Sequence, residues 1–145
     1  MKRADSSSMG EKNKHLGADR YLAAVMFTDV VGFTSKVQEN EEETIAKLEK
    51  TKTILEKNHQ ECQGRIIQYY GDGSLSVFKS AYHALRCAVE IQKDIAANVG
   101  LPLRIGIHLG DIAEKGSAIY GDGINIASRI ESVAVANSIV VSQDI

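Results

Sequence analysis

Phe27-Thr28-Asp29-Val30-Val31-Gly32-Phe33-Thr34 is the stretch in which an apolar run gives way to an acid, a glycine and a hydroxyl residue. The residues before it, Tyr21 to Met26, are apolar without interruption, which predicts a buried strand over Tyr21–Thr28. A helical segment is expected directly after the break. A carboxylate at a strand end can hold a hard cation through oxygen. The backbone N–H groups from Val30 to Thr34 lie where a helix start leaves donors unpaired, and such donors can face phosphate oxygens. Cation and phosphate together suggest nucleotide chemistry. Read alone, the same eight residues also make an ordinary strand-to-helix turn.

Working outward, Thr34 to Gln38 is expected to form a short helical turn. Asn40 then reads as an N-cap with Glu43 as its capping-box partner, and Glu41, Glu42 and Glu43 suit the positive end of the helix dipole. Ile45, Leu48, Leu55 and Cys62 form one apolar stripe, and Gly64 is placed at C′. Arg65–Tyr70 and Ser74–Phe78 read as strands around the hairpin signal Gly71-Asp72-Gly73. Ser80–Asn98 reads as a helix with Leu85, Ala88, Val89, Ile91 and Ile95 on its buried side, closed by Gly100 and Pro102. Leu103, Ile105, Ile107 and Leu109 alternate with Arg104, Gly106, His108 and Gly110, the pattern of a strand with two unlike faces. A hairpin is expected within Asp111–Tyr120, a third helix over Ile124–Val135 and a last strand over Ser138–Ser142. Residues 1–19 read as a disordered leader or linker and 20–145 as one domain.

This order defines an α+β chain. It has a ferredoxin-like βαββαβ core with an antiparallel or mixed sheet, helices packed on it, a short extra hairpin and a third helix. A right-handed crossover makes the first two strands parallel, so their C-terminal ends share an edge of the sheet. Asp29 ends the first, and Asp72 sits in the turn that ends the second. The fold is therefore expected to bring these two acids together.

Composition narrows the classes. The chain has 145 residues, 43% apolar and 25% charged, which suits one globular domain. A net charge of −2 argues against general nucleic-acid binding. The two cysteines, Cys62 and Cys87, have the spacing of neither a disulfide framework nor a zinc site and are expected to be buried thiols. Apolar runs are too short to span a bilayer, and the N-terminus lacks the apolar core of a signal peptide, so a cytoplasmic location is the default.

Two carboxylates on one edge can bind two divalent ions about 4 Å apart, the arrangement for in-line displacement at phosphorus. Oxygen ligands without nearby His or Cys point to Mg2+ or Mn2+. Asp72 also fits a plain Asp-Gly turn. Asn125 and Arg129 lie four apart on one helix face. An amide and a guanidinium there can orient a ribose and stabilise charge on phosphorus, and the same spacing fits a solvated helix face. His108, on the polar side of its strand, reads as a packed or solvated histidine.

Four segments, taken in order, resemble the class III adenylate/guanylate cyclase catalytic domain of bacterial type: Phe27 to Thr34, Tyr70-Gly71-Asp72-Gly73, Arg104-Ile105-Gly106-Ile107-His108-Leu109-Gly110-Asp111, and Tyr120 to Glu131. The resemblance spans residues 20–145. It implies that the ribose 3′-hydroxyl of ATP, less expectedly GTP, attacks its own α-phosphate to give a 3′,5′-cyclic nucleotide and pyrophosphate. It implies two metal ions held by Asp29 and Asp72 with the Val30 carbonyl, phosphate contacts from Val30, Val31, Gly32, Phe33 and Thr34, ribose placement by Asn125 and transition-state stabilisation by Arg129. It further implies a homodimer whose sites are shared, with the acids from one subunit and Asn125 and Arg129 from the other.

Three departures stand out. Gln68 occupies the position of the family's base-reading lysine, and Ala118 that of its Asp or Thr partner. Glutamine carries both donor and acceptor, so base choice is open. The family domain also continues past the point where this sequence stops, with a phosphate-gripping lysine, so an incomplete domain is expected. A diguanylate cyclase is disfavoured because residues 71–75 lack the Gly-Gly-Asp/Glu-Glu-Phe turn. A weakly active or silent nucleotide-binding, dimerising regulatory domain is the remaining alternative.

Overall fold

The computed structural model describes residues 19–143 and 145; the expected leader lies outside these apart from Asp19. The elements are β1 (Asp19–Val30), α1 (Phe33–Glu39), α2 (Glu41–Glu61), β2 (Arg65–Tyr70), β3 (Gly73–Phe78), α3 (Ala81–Asn98), β4 (Leu103–Lys115), β5 (Ala118–Tyr120), α4 (Asp122–Ser132) and β6 (Ile139–Val141). They form the expected α+β fold: one mixed sheet ordered β2-β3-β1-β4-β5, with β6 pairing parallel to β4 beside β5's edge. β1 is antiparallel to β3, and β3 to β2, so β1 and β2 run parallel as the crossover argument required.

Strand parity divides the core. Ala24, Met26 and Val30 of β1 and Leu103, Ile105 and Ile107 of β4 point to the face covered by α2 and α3. Ala23 and Val25, with Leu75, Val77 and Ile112, point to the other face, against Ala127 and Ile124 of α4. Asp29 shares the parity of Ala23 and Val25 and so belongs to the α4 side.

Three expectations need correction. The left-handed residue after α2 is Gln63 (φ 59°), not Gly64. The end is a Schellman motif, with the Gly64 N–H donating to His59 O at 2.7 Å and the Gln63 N–H to Gln60 O at 3.5 Å. Glycine is required at 64 for space, since a Cβ there would stand 2.3 Å from the Phe78 ring. On α3 the buried positions are Ala84, Cys87, Ala88, Ile91 and Ile95, while Leu85 and Val89 are exposed. Small residues let this helix approach the sheet, and the larger ones fall to its flank. Ile45 is likewise exposed, and α2 buries Thr44, Thr51, Asn58 and His59 beside Leu48 and Leu55.

The helix starts form as expected. The Asn40 side chain accepts from the Glu43 N–H at 3.0 Å, and the Ser80 side chain accepts from the His83 N–H at 3.2 Å. β4 runs further than expected, through Lys115, and folds back through β5 as a hairpin. Among the described residues no helix is long and apolar enough to cross a membrane. Cys62 and Cys87 are both buried free thiols.

Candidate active site

The two acids meet. The Val30 N–H donates to Asp72 Oδ2 at 2.9 Å, which fastens the β2–β3 turn to the end of β1 one residue from Asp29. Gly73 makes this approach possible. A Cβ at 73 would lie 2.4 Å from the Thr28 carbonyl oxygen and 3.2 Å from Asp29 Cβ. Behind the acids, Thr28 Oγ1 and Ser74 Oγ share a buried hydrogen bond of 2.7 Å.

An open cleft of about 440 Å³ lies on the α4 side. Asp29, Asp72, Asn125, Ser128 and Glu131 line it, with Phe27 and Tyr70, whose stacked rings are 6.4 Å apart, among its walls. One chain thus presents Asn125 to the same cleft as both acids. Arg129 is exposed and outside the lining, as is Gln68, on the edge strand β2; Ala118, in β5, is half-buried and also outside it. Among the expected phosphate contacts, the Val30 N–H is held by Asp72, and the Val31 N–H donates to Pro102 O at 2.8 Å. Gly32, in the left-handed conformation (φ 68°), Phe33 and Thr34 follow at the start of α1, which has no side-chain cap.

Two residues beside Asp29, Arg104 and the cleft-lining Glu131, had no expected role. Arg104 is the cross-strand partner of Asp29 in the β1–β4 register. Its Nε donates to Asp29 Oδ1 at 2.6 Å and its Nη2 to Asp29 Oδ2 at 3.1 Å, a bidentate pair. Its Nη1 donates to the Ser132 carbonyl at 3.2 Å. Glu131 Oε2 also lies 2.6 Å from Arg104 Nε. The single Nε proton is directed at Asp29, so the buried Glu131 oxygen touches the guanidinium without receiving a hydrogen bond. Burial first, and the neighbouring Asp29 second, push the Glu131 carboxyl up to about 7. Asp29 and Glu131 together hold the Arg104 guanidinium above its ordinary range, Asp29 contributing most.

Gly106 sets this arrangement. A Cβ at 106 would stand 2.4 Å from the Glu131 nitrogen and 2.5 Å from its Cα, so α4 rests directly on the β4 backbone at Glu131. The opposite charges at 29 and 104 were legible only through strand register, a signal the sequence reading did not use.

The carboxylates and backbone carbonyls at this edge are hard oxygen donors, which suits Mg2+ or Mn2+. Among the described residues no three His, Cys, Asp or Glu side chains form a cage for a cation. Two carboxylates with water and substrate phosphate completing the shell is the usual way magnesium is bound.

Fold and site define an α+β domain with two acids at one sheet edge, beside an open cleft. The model of the adenylate and guanylate cyclase catalytic domain matches residues 20–145, and the chain belongs to that family. It is 38% identical over 134 residues to a putative adenylate cyclase 3 of Rhizobium meliloti, covering 87% of this chain and 23% of that protein. It is 32% identical to an adenylate cyclase of Streptomyces coelicolor, covering 85% of this chain and 32% of that one. The chain therefore spans a third or less of these relatives. Among solved structures it is similar to an adenylate/guanylate cyclase/hydrolase from Silicibacter pomeroyi, with a TM-score of 0.80, 30% identity and coverage of 88% and 78%.

Proposed function

We propose that this domain is a nucleotidyl cyclase that converts ATP, rather than GTP, into the 3′,5′-cyclic nucleotide and pyrophosphate, and that it signals through cyclic AMP. The observation that carries the reading is the convergence of Asp29 and Asp72, fixed by the 2.9 Å bond from Val30 N–H to Asp72 Oδ2, at the mouth of a cleft that Asn125 also lines. Asp29, Asp72 and the Val30 carbonyl would hold two Mg2+ or Mn2+ ions. When bound, those ions acidify the attacking hydroxyl and neutralise charge on the leaving phosphate.

The protein's own groups do the rest. The amides of Gly32, Phe33 and Thr34 bind phosphate oxygens. Asn125 orients the ribose, and Arg129 stabilises charge at the α-phosphate. Arg129 stands outside the cleft of its own chain, which supports a homodimer in which Asn125 and Arg129 of one subunit serve the acids of the other. The names of the R. meliloti and S. coelicolor relatives support ATP over GTP. Gln68 would then read the base alone, because the Ala118 side chain offers no hydrogen bond where the family has Asp or Thr, and base selectivity would be weaker.

The bidentate Arg104–Asp29 pair favours the second reading, a weak or silent regulatory domain, because a guanidinium occupies a proposed ligand. One assay separates the two. Purified protein with ATP and Mn2+ should form cyclic AMP, and Asp29→Ala and Asp72→Ala should abolish it. Nucleotide binding without turnover in the parent protein overturns the enzyme reading.

A further inference from the structure

We propose that Glu131 is a positioning residue that takes over Arg104 when Asp29 binds a divalent cation. The inference rests on the reading of Asp29 as a metal ligand and adds what the rest of the cleft must do to allow it. Both Asp29 oxygens face the Arg104 guanidinium, at 2.6 and 3.1 Å. A cation on that carboxylate draws on the same negative charge and repels the guanidinium. Arg104 must yield, and a half-buried guanidinium stripped of its carboxylate is costly.

Glu131 removes that cost. Its Oε2 is already 2.6 Å from Arg104 Nε, and it receives no hydrogen bond there. The residue is only 7% exposed and lines the same cleft. The guanidinium can therefore exchange carboxylates by turning in place, while its Nη1 stays on the Ser132 carbonyl. The backbone that carries the receiving carboxylate is held in place, because Gly106 seats it directly against β4. Glu131 belongs to α4, which also carries Asn125 and Arg129. Loading Asp29 would then draw Arg104 toward the helix that bears the ribose and phosphate residues, tying cation binding to their placement.

The test is Mn2+ binding to the purified protein without nucleotide, read as loss of the free-ion paramagnetic resonance signal. Glu131→Gln should weaken Mn2+ binding about 10- to 100-fold, the usual effect of removing a group that orients a ligand, and Glu131→Asp should recover part of the loss. In an Arg104→Met background, Glu131→Gln should cause no further loss, since no guanidinium remains to be received. Unchanged Mn2+ binding in Glu131→Gln, with only a lower melting temperature, overturns the proposal. So does an equal loss in the Arg104→Met background, which would make Glu131 itself a ligand. Asp29→Asn separates the two readings. Unaltered Mn2+ binding there sinks the metal site and this inference with it, whereas loss there without loss in Glu131→Gln sinks the inference alone.

Discussion

Replacing Gly106 by alanine tests the architecture most directly. The added Cβ would stand 2.4 Å from the Glu131 nitrogen, 2.5 Å from its Cα and 2.7 Å from its Cβ. Ordinary carbon contacts begin at about 3.5 Å, so α4 must retreat by about 1 Å. The obstacle is backbone on backbone, and no rotamer change relieves it. Overpacking of this kind costs about 1–3 kcal/mol. For a domain of this size, about 2 kcal/mol corresponds to a fall of roughly 6–10 °C in Tm. A 1 Å displacement also moves Asn125, and misplacement on that scale costs about 100-fold in rate. Thermal unfolding by circular dichroism and cyclic AMP formation should therefore fall together. A Gly106→Ala protein that melts with the parent and turns over normally would show that helix and strand are not in the contact described. Loss of turnover with an unchanged Tm would assign Gly106 a role in chemistry rather than packing.

Other outcomes follow from the same structure. Gly73→Ala should be similarly destabilising, because its Cβ would meet the Thr28 carbonyl at 2.4 Å, and chemical denaturation would show the loss. Ile107→Ala removes a fully buried side chain from the larger core and should cost about 2–5 kcal/mol in urea unfolding. His59 is buried, with Nδ1 2.7 Å from Leu55 O and Nε2 2.7 Å from Ser76 Oγ, and burial lowers it from the ordinary 6.5. Its folded form binds fewer protons than its unfolded form, so its contribution is complete above about pH 6.5 and fades as the pH falls toward the folded value. The urea midpoint should drop on acidification below pH 6.5, and His59→Gln should flatten that dependence.

Much of this was legible in the chain because period and turn chemistry speak locally. Tyr21–Thr28 reads as a buried strand and Gly71-Asp72-Gly73 as a hairpin, and a right-handed crossover then placed Asp29 beside Asp72. The α3 stripe was misread because hydrophobicity favours the large Leu85 and Val89, whereas contact with the sheet selects the small Ala84 and Cys87. Gly64 was misplaced because glycine suggests a left-handed backbone, and here it marks an approaching aromatic ring. Arg104 and Glu131 stood in quoted segments without a role. Their meaning lies in a cross-strand pairing and a helix-to-strand contact, which no local pattern encodes.

β1 is paired with β4 along its length and with β3 from Ala24 to Thr28, and is covered on both faces, whereas α4 leans on the sheet through one side only. Amide exchange should then be slowest at β1 and faster across α4. A warming molecule would shed α4, the helix proposed to hold the ribose, while Asp29 and Asp72 still stood in place. The domain would pass first into a form that keeps its proposed cation-binding edge yet lacks the helix proposed to orient a nucleotide.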